Sequence, residues 1–223
     1  AVEELGWRDS IGIIKNNVAP RTSSGQTGHG GGIFSAYNNN DTLIVNNTII
    51  DNNSAERGGG VKFSNRAKAT FTNCLIVNNT ATDEAYYGGG GGINDEDTNS
   101  YKGGPTKFIN CTITNNTATP GAGINIFRSD TQIKNSIIFG NNGDDITEYD
   151  GSYADDQSNP TITYSAIGGG FSGTGNIDSD PLFVDAANGD YHLTSSSPSL
   201  GTGTSSGAPN VDIDNNTRPY PSG

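Results

Sequence analysis

The residues of this chain that could bind a metal ion are carboxylates gathered in four short clusters. The densest comprises Asp144, Asp145, Glu148 and Asp150, and the others lie at 95–97, 155–156 and 178–185. Carboxylate oxygens on loops are the ligands that Ca²⁺ prefers, although the spacing lacks the closing Glu of an EF-hand. We therefore expect either a Ca²⁺ site at 144–150 or a solvated acidic surface there, and Ca²⁺ is the one cofactor that the sequence indicates.

The residue types needed to cleave a polysaccharide are present, but not in matching positions. A lyase needs a Lys or Arg base in a cationic groove, and the densest basic group is Lys62, Arg66 and Lys68, close to Arg57. These side chains could share one face, but surface solubility is the simpler explanation. A hydrolase needs paired carboxylates, and Asp51 has no second acid at the same position of a neighbouring repeat. We therefore assign no catalytic residue.

The two cysteines, Cys74 and Cys111, occupy the same position in two successive repeats. In-register parallel strands would place them side by side, about 4.8 Å apart, which is within the Cα range of a disulfide. Alternatively, both are small buried residues in a column that Thr48 and Ser136 fill in other repeats. The sequence leaves these two states open.

The repeat itself runs through most of the chain. Glycine-rich runs ending in Ile or Val occur at 30–33, 58–61, 90–93 and 121–124, and an apolar segment ending in paired asparagines recurs between them. The asparagine at the equivalent position of each repeat falls at 17, 53, 79, 116 and 141, which is the second of the pair in the first four repeats, so the steps vary from 25 to 37 residues. A β-coil tolerates such variation because only its short strands must stay in register. The repeat therefore predicts a solenoid of β-strands.

Alignment of the repeats predicts ladders of identical residues along the solenoid. The structural ladder positions are Asn47, Asn73, Asn110 and Asn135, then Ile50, Ile76, Ile113 and Ile138, with Cys74 and Cys111 beside them. Stacked amides can hydrogen-bond along such a column, and stacked isoleucines can pack without gaps. We therefore predict an all-β fold, namely a single-stranded right-handed parallel β-helix (β-solenoid) of about six to seven coils with a C-terminal cap. The handedness follows the general preference for right-handed crossovers.

The spacing also predicts how this single domain, 1–223, is organised. An N-terminal coil or cap is expected over 1–29, regular coils over 30–167 and a C-terminal cap over 168–223. The largest excess of spacing, at 82–106, predicts a loop that leaves the solenoid. The turn signal at 188–190 and the loss of the repeat after 167 place the end of the regular coils.

These repeats resemble those of a known group of proteins. The Gly-Gly-Gly-Ile and Asn-Asn-Thr-Ala units resemble the right-handed parallel β-helix repeats of bacterial surface proteins, including polymorphic outer-membrane proteins. Segment 164–198, with its Gly-Asn-Ile, Asp-Pro-Leu-Phe, Gly-Asp-Tyr-His-Leu and Ser-Pro steps, resembles the ends of β-helix proteins with variable C-terminal anchors. The resemblance covers about 30–200 and implies a secreted bacterial protein that is extracellular or on the cell surface.

The amino-acid composition limits the classes of partner that the protein is expected to bind. With 24 acidic and 12 basic residues the net charge is −12, which disfavours nucleic acid and anionic membranes, and no apolar run is long enough for membrane insertion. We expect a non-catalytic structural or adhesive solenoid. Its partner would be a second copy, stacked end to end into filaments, or a surface glycan or protein. The alternatives are a polysaccharide lyase or hydrolase on a β-helix scaffold, and an ice- or glycan-binding solenoid with a flat Thr/Asn face.

Overall fold

The computed structural model describes residues 11–21, 27–36, 42–65, 67–85, 88–97, 105–150 and 157–218. Within these ranges the chain is built almost entirely of short β-strands, with one 3₁₀ turn at Ala186–Asn188. All but two of the named strands pair in parallel with the strand of a neighbouring coil. The predicted all-β parallel β-helix is therefore confirmed.

Four parallel sheets make up the solenoid. Sheet 1 contains β1 (Gly12–Lys15), β5 (Thr48–Asp51), β9 (Leu75–Val77), β13 (Thr112–Thr114), β16 (Ile137–Ile138) and β19 (Ala166–Ile167). Sheet 2 contains β2 (Val18–Ala19), β6 (Ser54–Ala55) and β10 (Thr80–Ala81). Sheet 3 contains β3 (Ile33–Ala36), β7 (Val61–Ser64), β11 (Ile93–Glu96), β14 (Ile124–Phe127) and β17 (Ile146–Tyr149). Sheet 4 contains β4 (Leu43–Asn46), β8 (Ala69–Thr72), β12 (Lys107–Ile109), β15 (Gln132–Lys134) and β18 (Thr161–Thr163).

The chain visits sheets 3, 4, 1 and 2 in turn, and the six strands of sheet 1 mark six coils in the part of the chain that the structure describes. The core is the space that the sheets enclose. Its central column consists of the isoleucines at 14, 50, 76, 113, 138 and 167, each in register with the next. Burying one such side chain contributes about 1.5–3 kcal/mol. This column and the rings of Phe71 and Phe108, whose centroids lie 5.4 Å apart with a tilt of 37°, therefore hold consecutive coils together.

Asparagines form the corners on both sides of sheet 1, because the chain must turn there with a positive φ. Asn47, Asn73, Asn110 and Asn135 lead into the sheet with φ of 48–53°. The residues that leave it also have a positive φ, namely Asn16, Asn52, Asn78, Asn115 and Gly140. Asparagine tolerates this left-handed region better than most residues. The glycine runs are required because neighbouring coils approach too closely for a side chain. A Cβ at Gly59 would lie 2.6 Å from the carbonyl oxygen of Gly91 in the next coil.

Of the predicted excursion at 82–106, residues 86–87 and 98–104 lie outside the described residues. The rest contains β11, which pairs with β7 on one side and β14 on the other, so the solenoid continues through the middle of this segment. The sequence does not indicate β11 as a strand because three of its four residues, Asn94, Asp95 and Glu96, are polar, although all three are buried.

The C-terminal segment closes the last coil and then returns along the solenoid. Ile177 pairs with Ala166 of β19, and β20 (Phe183–Asp185) and β21 (Asp190–Leu193) follow as an antiparallel hairpin. Further on, the backbone N–H of Thr204 bonds Asn135, and Arg218 reaches Asn73, two coils nearer the N-terminal end. Residues 198–218 therefore form a strap along one side of the molecule as well as part of a cap.

Candidate functional site

The predicted asparagine ladder lies on the outside of the solenoid and anchors the strap. Asn73 donates to Asn47 Oδ1 at 3.1 Å, and Asn135 donates to Asn110 Oδ1 at 3.4 Å. Asn73 also donates to the Val211 carbonyl and accepts from Arg218, both within 2.9 Å. This column is therefore a docking edge for residues 198–218.

A second asparagine ladder, which was not predicted, runs inside the solenoid through the second asparagine of the first four pairs and through Asn141, which follows Gly140. Its members are Asn17, Asn53, Asn79, Asn116 and Asn141. The backbone N–H and Nδ2 of Asn79 donate to Asn116 Oδ1 at 2.9 and 3.0 Å, and Nδ2 also donates to the Ile50 carbonyl. Asn79 and Asn116 are wholly buried. The recurrence of this asparagine in all five repeats was the signal for the ladder.

Asp145, one of the predicted Ca²⁺ ligands, terminates the inner ladder. Its Oδ1 accepts the backbone N–H of Asn141 at 2.9 Å and the Asn141 amide at 2.6 Å, and Oδ2 accepts from Gly140. Burial raises the pKa of this carboxyl group, and the same hydrogen bonds oppose the shift. The carboxylate thus serves as the acceptor that the last asparagine of the ladder requires.

The rest of the predicted Ca²⁺ set is dispersed. Asp150 accepts the backbone N–H of Ser158 at 2.8 Å, while burial and the nearby Asp150 raise the pKa of Glu148. Asp144 is exposed. Across the described ranges, no three His, Cys, Asp or Glu side chains are grouped so that they could hold a metal ion. The structure therefore does not bring the four residues together as a metal centre.

Cys74 and Cys111 are both free thiols buried in the core. Each sulfur lies 3.4–3.5 Å from two backbone carbonyl oxygens. Burial and the neighbouring Cys74 raise the pKa of Cys111, so this thiol is a poor nucleophile.

The predicted basic group separates into different environments. Lys62 is not a surface residue: its side chain is fully buried on the outward side of sheet 3. Its Nζ donates to Asn94 Oδ1 at 2.6 Å and to the Glu96 carboxylate. Arg57 pairs with Asp83 at 2.6 Å, Lys68 is half-buried, and Arg66 lies outside the described residues.

The acidic cluster at 95–97, expected to be a solvated loop, is also buried. Asp95 points into the core between Phe63 and Ile126, its register partners on the neighbouring strands. There its carboxylate accepts hydrogen bonds from the hydroxyl groups of three residues, Thr106, Ser129 and Thr131. Burial raises the pKa of Asp95, and the hydroxyl groups oppose the shift. The predicted cluster at 155–156 lies outside the described residues.

The N-terminal coil carries most of the large exposed apolar side chains. Ile13, Val18 and Ile44 are 62, 69 and 67% exposed, and Phe34 is also exposed. Among the described strands, β1 to β4 are each the terminal strand of their sheet. Within the described residues, this end of the solenoid therefore combines strand edges that no further strand covers with an apolar surface.

Comparison with known proteins adds no family to this picture. The chain matches no family model, and no curated protein or solved structure shows significant similarity to it. In the parts of the chain that the structure describes, no helix is both long and apolar enough to span a bilayer.

Proposed function

We propose that this protein is a non-catalytic, extracellular structural or adhesive β-solenoid of a bacterial surface. The observation that carries the proposal is that its buried polar side chains hydrogen-bond to other residues of the solenoid. The buried asparagines and Asp95 bond between neighbouring coils, where they fix the register of the stack, and Asp145 accepts the last amide of the ladder. The extracellular bacterial setting rests on the resemblance of the repeats.

The side chains that could act as a catalytic base or acid also form structural hydrogen bonds. A lyase base must reach its substrate, whereas Lys62 is wholly buried between Asn94 and Glu96. Asp51, the acidic residue within the core repeats, accepts a hydrogen bond from the side-chain amide of Asn78 at 2.7 Å. These positions support a scaffold better than a polysaccharide-cleaving site.

Assembly with a second copy would use the N-terminal coil. Among the described strands, β1 to β4 have a neighbour on one side only, and such edges can accept further strands. The apolar side chains of Ile13 and Ile44 lie on two of them. At the other end, Asp145 and Asn176 already accept the hydrogen bonds of the last coils. Contact between two identical N-terminal coils gives a closed two-fold pair, so we expect pairs of molecules in place of open filaments.

Sedimentation velocity across a concentration series, with negative-stain electron microscopy, tests this assembly. The double variant Ile13→Ser, Ile44→Ser is expected to remain monomeric at concentrations where the native chain pairs. Thr161→Ser is the matched control, because it changes an exposed residue of sheet 4 at the opposite end. A native chain that stays monomeric throughout, or that forms long filaments, contradicts the pairing.

Two further measurements test the role and the location. A screen of bacterial polysaccharides should show no new reducing ends and no unsaturated products, and cleavage of any of them would overturn the non-catalytic assignment. Antibody labelling of intact source cells and of the culture supernatant should detect the protein. Labelling confined to permeabilised cells would contradict the extracellular location.

A further inference from the structure

The Lys62 cluster places an amine, a primary amide and a carboxyl group in contact without solvent. Lys62 on β7 and Asn94 on β11 are register partners in adjacent coils, and Glu96 follows on the same side of β11. Lys62 and Asn94 have no exposed surface, and Glu96 is 4% exposed. A buried ammonium group is costly even when it is paired, so this pair needs an explanation beyond stability.

We propose that Lys62 and Asn94 join in an intramolecular isopeptide bond that links consecutive coils, with Glu96 transferring the protons. The hydrogen bond of 2.6 Å holds Lys62 Nζ against Asn94 Oδ1. Because Oδ1 is bonded to Cγ, the amine lies next to the carbon that it would attack. Such fixed proximity replaces a slow encounter between two separate groups.

The atoms of the reaction balance without an oxidant or a cofactor. One proton passes from Lys62 Nζ to Glu96 along their hydrogen bond, which leaves a neutral amine and a carboxylic acid. The amine attacks Asn94 Cγ, a C–N bond forms, and Nζ loses a second proton while Nδ2 gains one. The bond from Cγ to Nδ2 then breaks and ammonia leaves, taking the proton of Glu96 to become ammonium. One amine and one primary amide thus give one secondary amide and one ammonia.

The surroundings favour each partner's reactive form. Burial is the main cause that lowers the pKa of Lys62 to about 8, with Glu96 opposing the shift, so neutral amine is accessible near neutral pH. The Asn94 amide is fixed by donation of Nδ2 to the Gly88 carbonyl at 2.5 Å. Asn125 of the next coil donates to the same carbonyl oxygen. Exclusion of water prevents water from competing with the amine for Asn94 Cγ.

The arrangement is specific to Lys62. Of the described lysines, Lys15 is exposed and Lys68, Lys107 and Lys134 are half-buried, so Lys62 alone is enclosed with a side-chain amide. The product would replace a buried ion pair by a neutral amide and would clamp the third coil to the fourth.

Mass spectrometry of the denatured native protein tests the bond directly. We expect a mass below that of the sequence by one ammonia. In a tryptic digest, cleavage after Lys62 should be lost and peptide 58–66 should remain joined to peptide 69–102. Glu96→Gln keeps the size of the side chain but removes the proton-transfer group, and should slow bond formation about 100-fold or more. Lys68→Arg is the matched control and should leave the cross-link intact.

Three results would overturn the proposal. Native protein whose peptides 58–62 and 69–102 are separate, even after prolonged incubation at pH 8–9, has no such bond. Ammonia loss confined to a linear peptide, as from a succinimide at Asn142–Gly143 or Asn188–Gly189, would be a different reaction. A folded Glu96→Gln protein with the cross-link fully formed would exclude the role of Glu96. If that variant does not fold, the native mass and digest still decide whether the bond exists.

Discussion

The two ends of the solenoid are finished in different ways, although the same repeat leads to both. At the C-terminal end, Asp145 accepts the last amide of the inner ladder, Asn176 accepts the backbone N–H of Ser165 at 3.1 Å, and Asp178 accepts from Gly169. At the N-terminal end, exposed apolar side chains such as Ile13 and Val18 lie on edge strands. In the part of the chain that the structure describes, the C-terminal end is closed by polar side chains, whereas the N-terminal end has uncovered strand edges and an apolar surface.

The difference follows from the direction of the inner ladder. Each asparagine donates its backbone N–H and its amide to Oδ1 of the next coil towards the C-terminus. Donors therefore face the C-terminal end, where an acceptor is needed, and a carboxylate accepts without competing as a donor. Asn17 is exposed and begins the ladder, so its loss should cost less than the loss of an inner member. The hydrogen bonds of the ladder all point in one direction, so the two ends of the solenoid need different terminating groups.

The largest effect is expected inside the ladder. Asn116→Ala removes the Oδ1 that accepts two hydrogen bonds from Asn79. It also removes the Nδ2 that donates to the carbonyls of Ile76 and Thr114 and to Asn141 Oδ1, whereas the backbone N–H that donates to Asn141 remains. Because buried partners are left without bonds, we expect a loss of about 3 kcal/mol in the free energy of unfolding. The matched variant Asn17→Ala, at the open end, should cost less than about 1 kcal/mol. Urea denaturation measures both, and equal losses would disprove a ladder whose strength depends on burial.

A smaller effect is expected at the closing carboxylate. Asp145→Ala leaves the N–H and the amide of Asn141 without their acceptor, which should cost about 1–2 kcal/mol. Asp145→Asn retains one acceptor oxygen and should recover most of that loss. Asp144→Ala is the control, because Asp144 is exposed beside it, and should stay within about 0.5 kcal/mol. If Asp144→Ala and Asp145→Ala destabilise the protein equally in the same denaturation assay, the effect is one of net charge and Asp145 does not close the ladder.

The sequence predicted those parts of the fold that repeat. Ile50, Ile76, Ile113 and Ile138 are identical residues at matching positions, and the structure places them in register and fully buried. The corner asparagines were found for the same reason, since every coil needs a positive φ at the same place. Periodicity is a local property that one sequence displays, so it can be predicted without a structure.

The parts that do not repeat could not be predicted. Lys62 looked like a surface lysine because its partner Glu96 is 34 residues away, in a segment without an apolar pattern. Likewise, the bond from Arg218 to Asn73 spans 145 residues, and Arg218 lies outside the repeats. Such pairs depend on the geometry of the coils and on which segment packs over each face of the solenoid. Neither produces a repeating pattern in the sequence.

The smallest effect is expected from pH, at the strap that runs from the closed end back towards the open one. His192 on β21 pairs with Asp190 at 2.6 Å and with Asp214 of the strap at 3.0 Å. The hydrogen bonds to Asp190 and Asp214 raise the pKa of His192 above its usual value near 6.5. The stabilisation is therefore complete below pH 6.5 and is lost as the pH rises through the higher folded value. Because the pair is exposed, the melting temperature should fall by at most about 2 °C between pH 6 and pH 9 from this source.

His192→Gln should abolish that part of the pH dependence, because glutamine does not titrate. Hydrogen exchange localises the effect: in the native protein, the N–H of Asp212, bonded to the Asn216 carbonyl within the strap, should exchange faster at pH 9 than base catalysis alone explains. The N–H of Asn116, in the inner ladder, serves as the internal reference since no titrating group bonds it. Equal pH responses at Asp212 and Asn116 would place the titration in the solenoid as a whole. A response confined to the strap would show that the strap can loosen while the ladder beneath it stays closed.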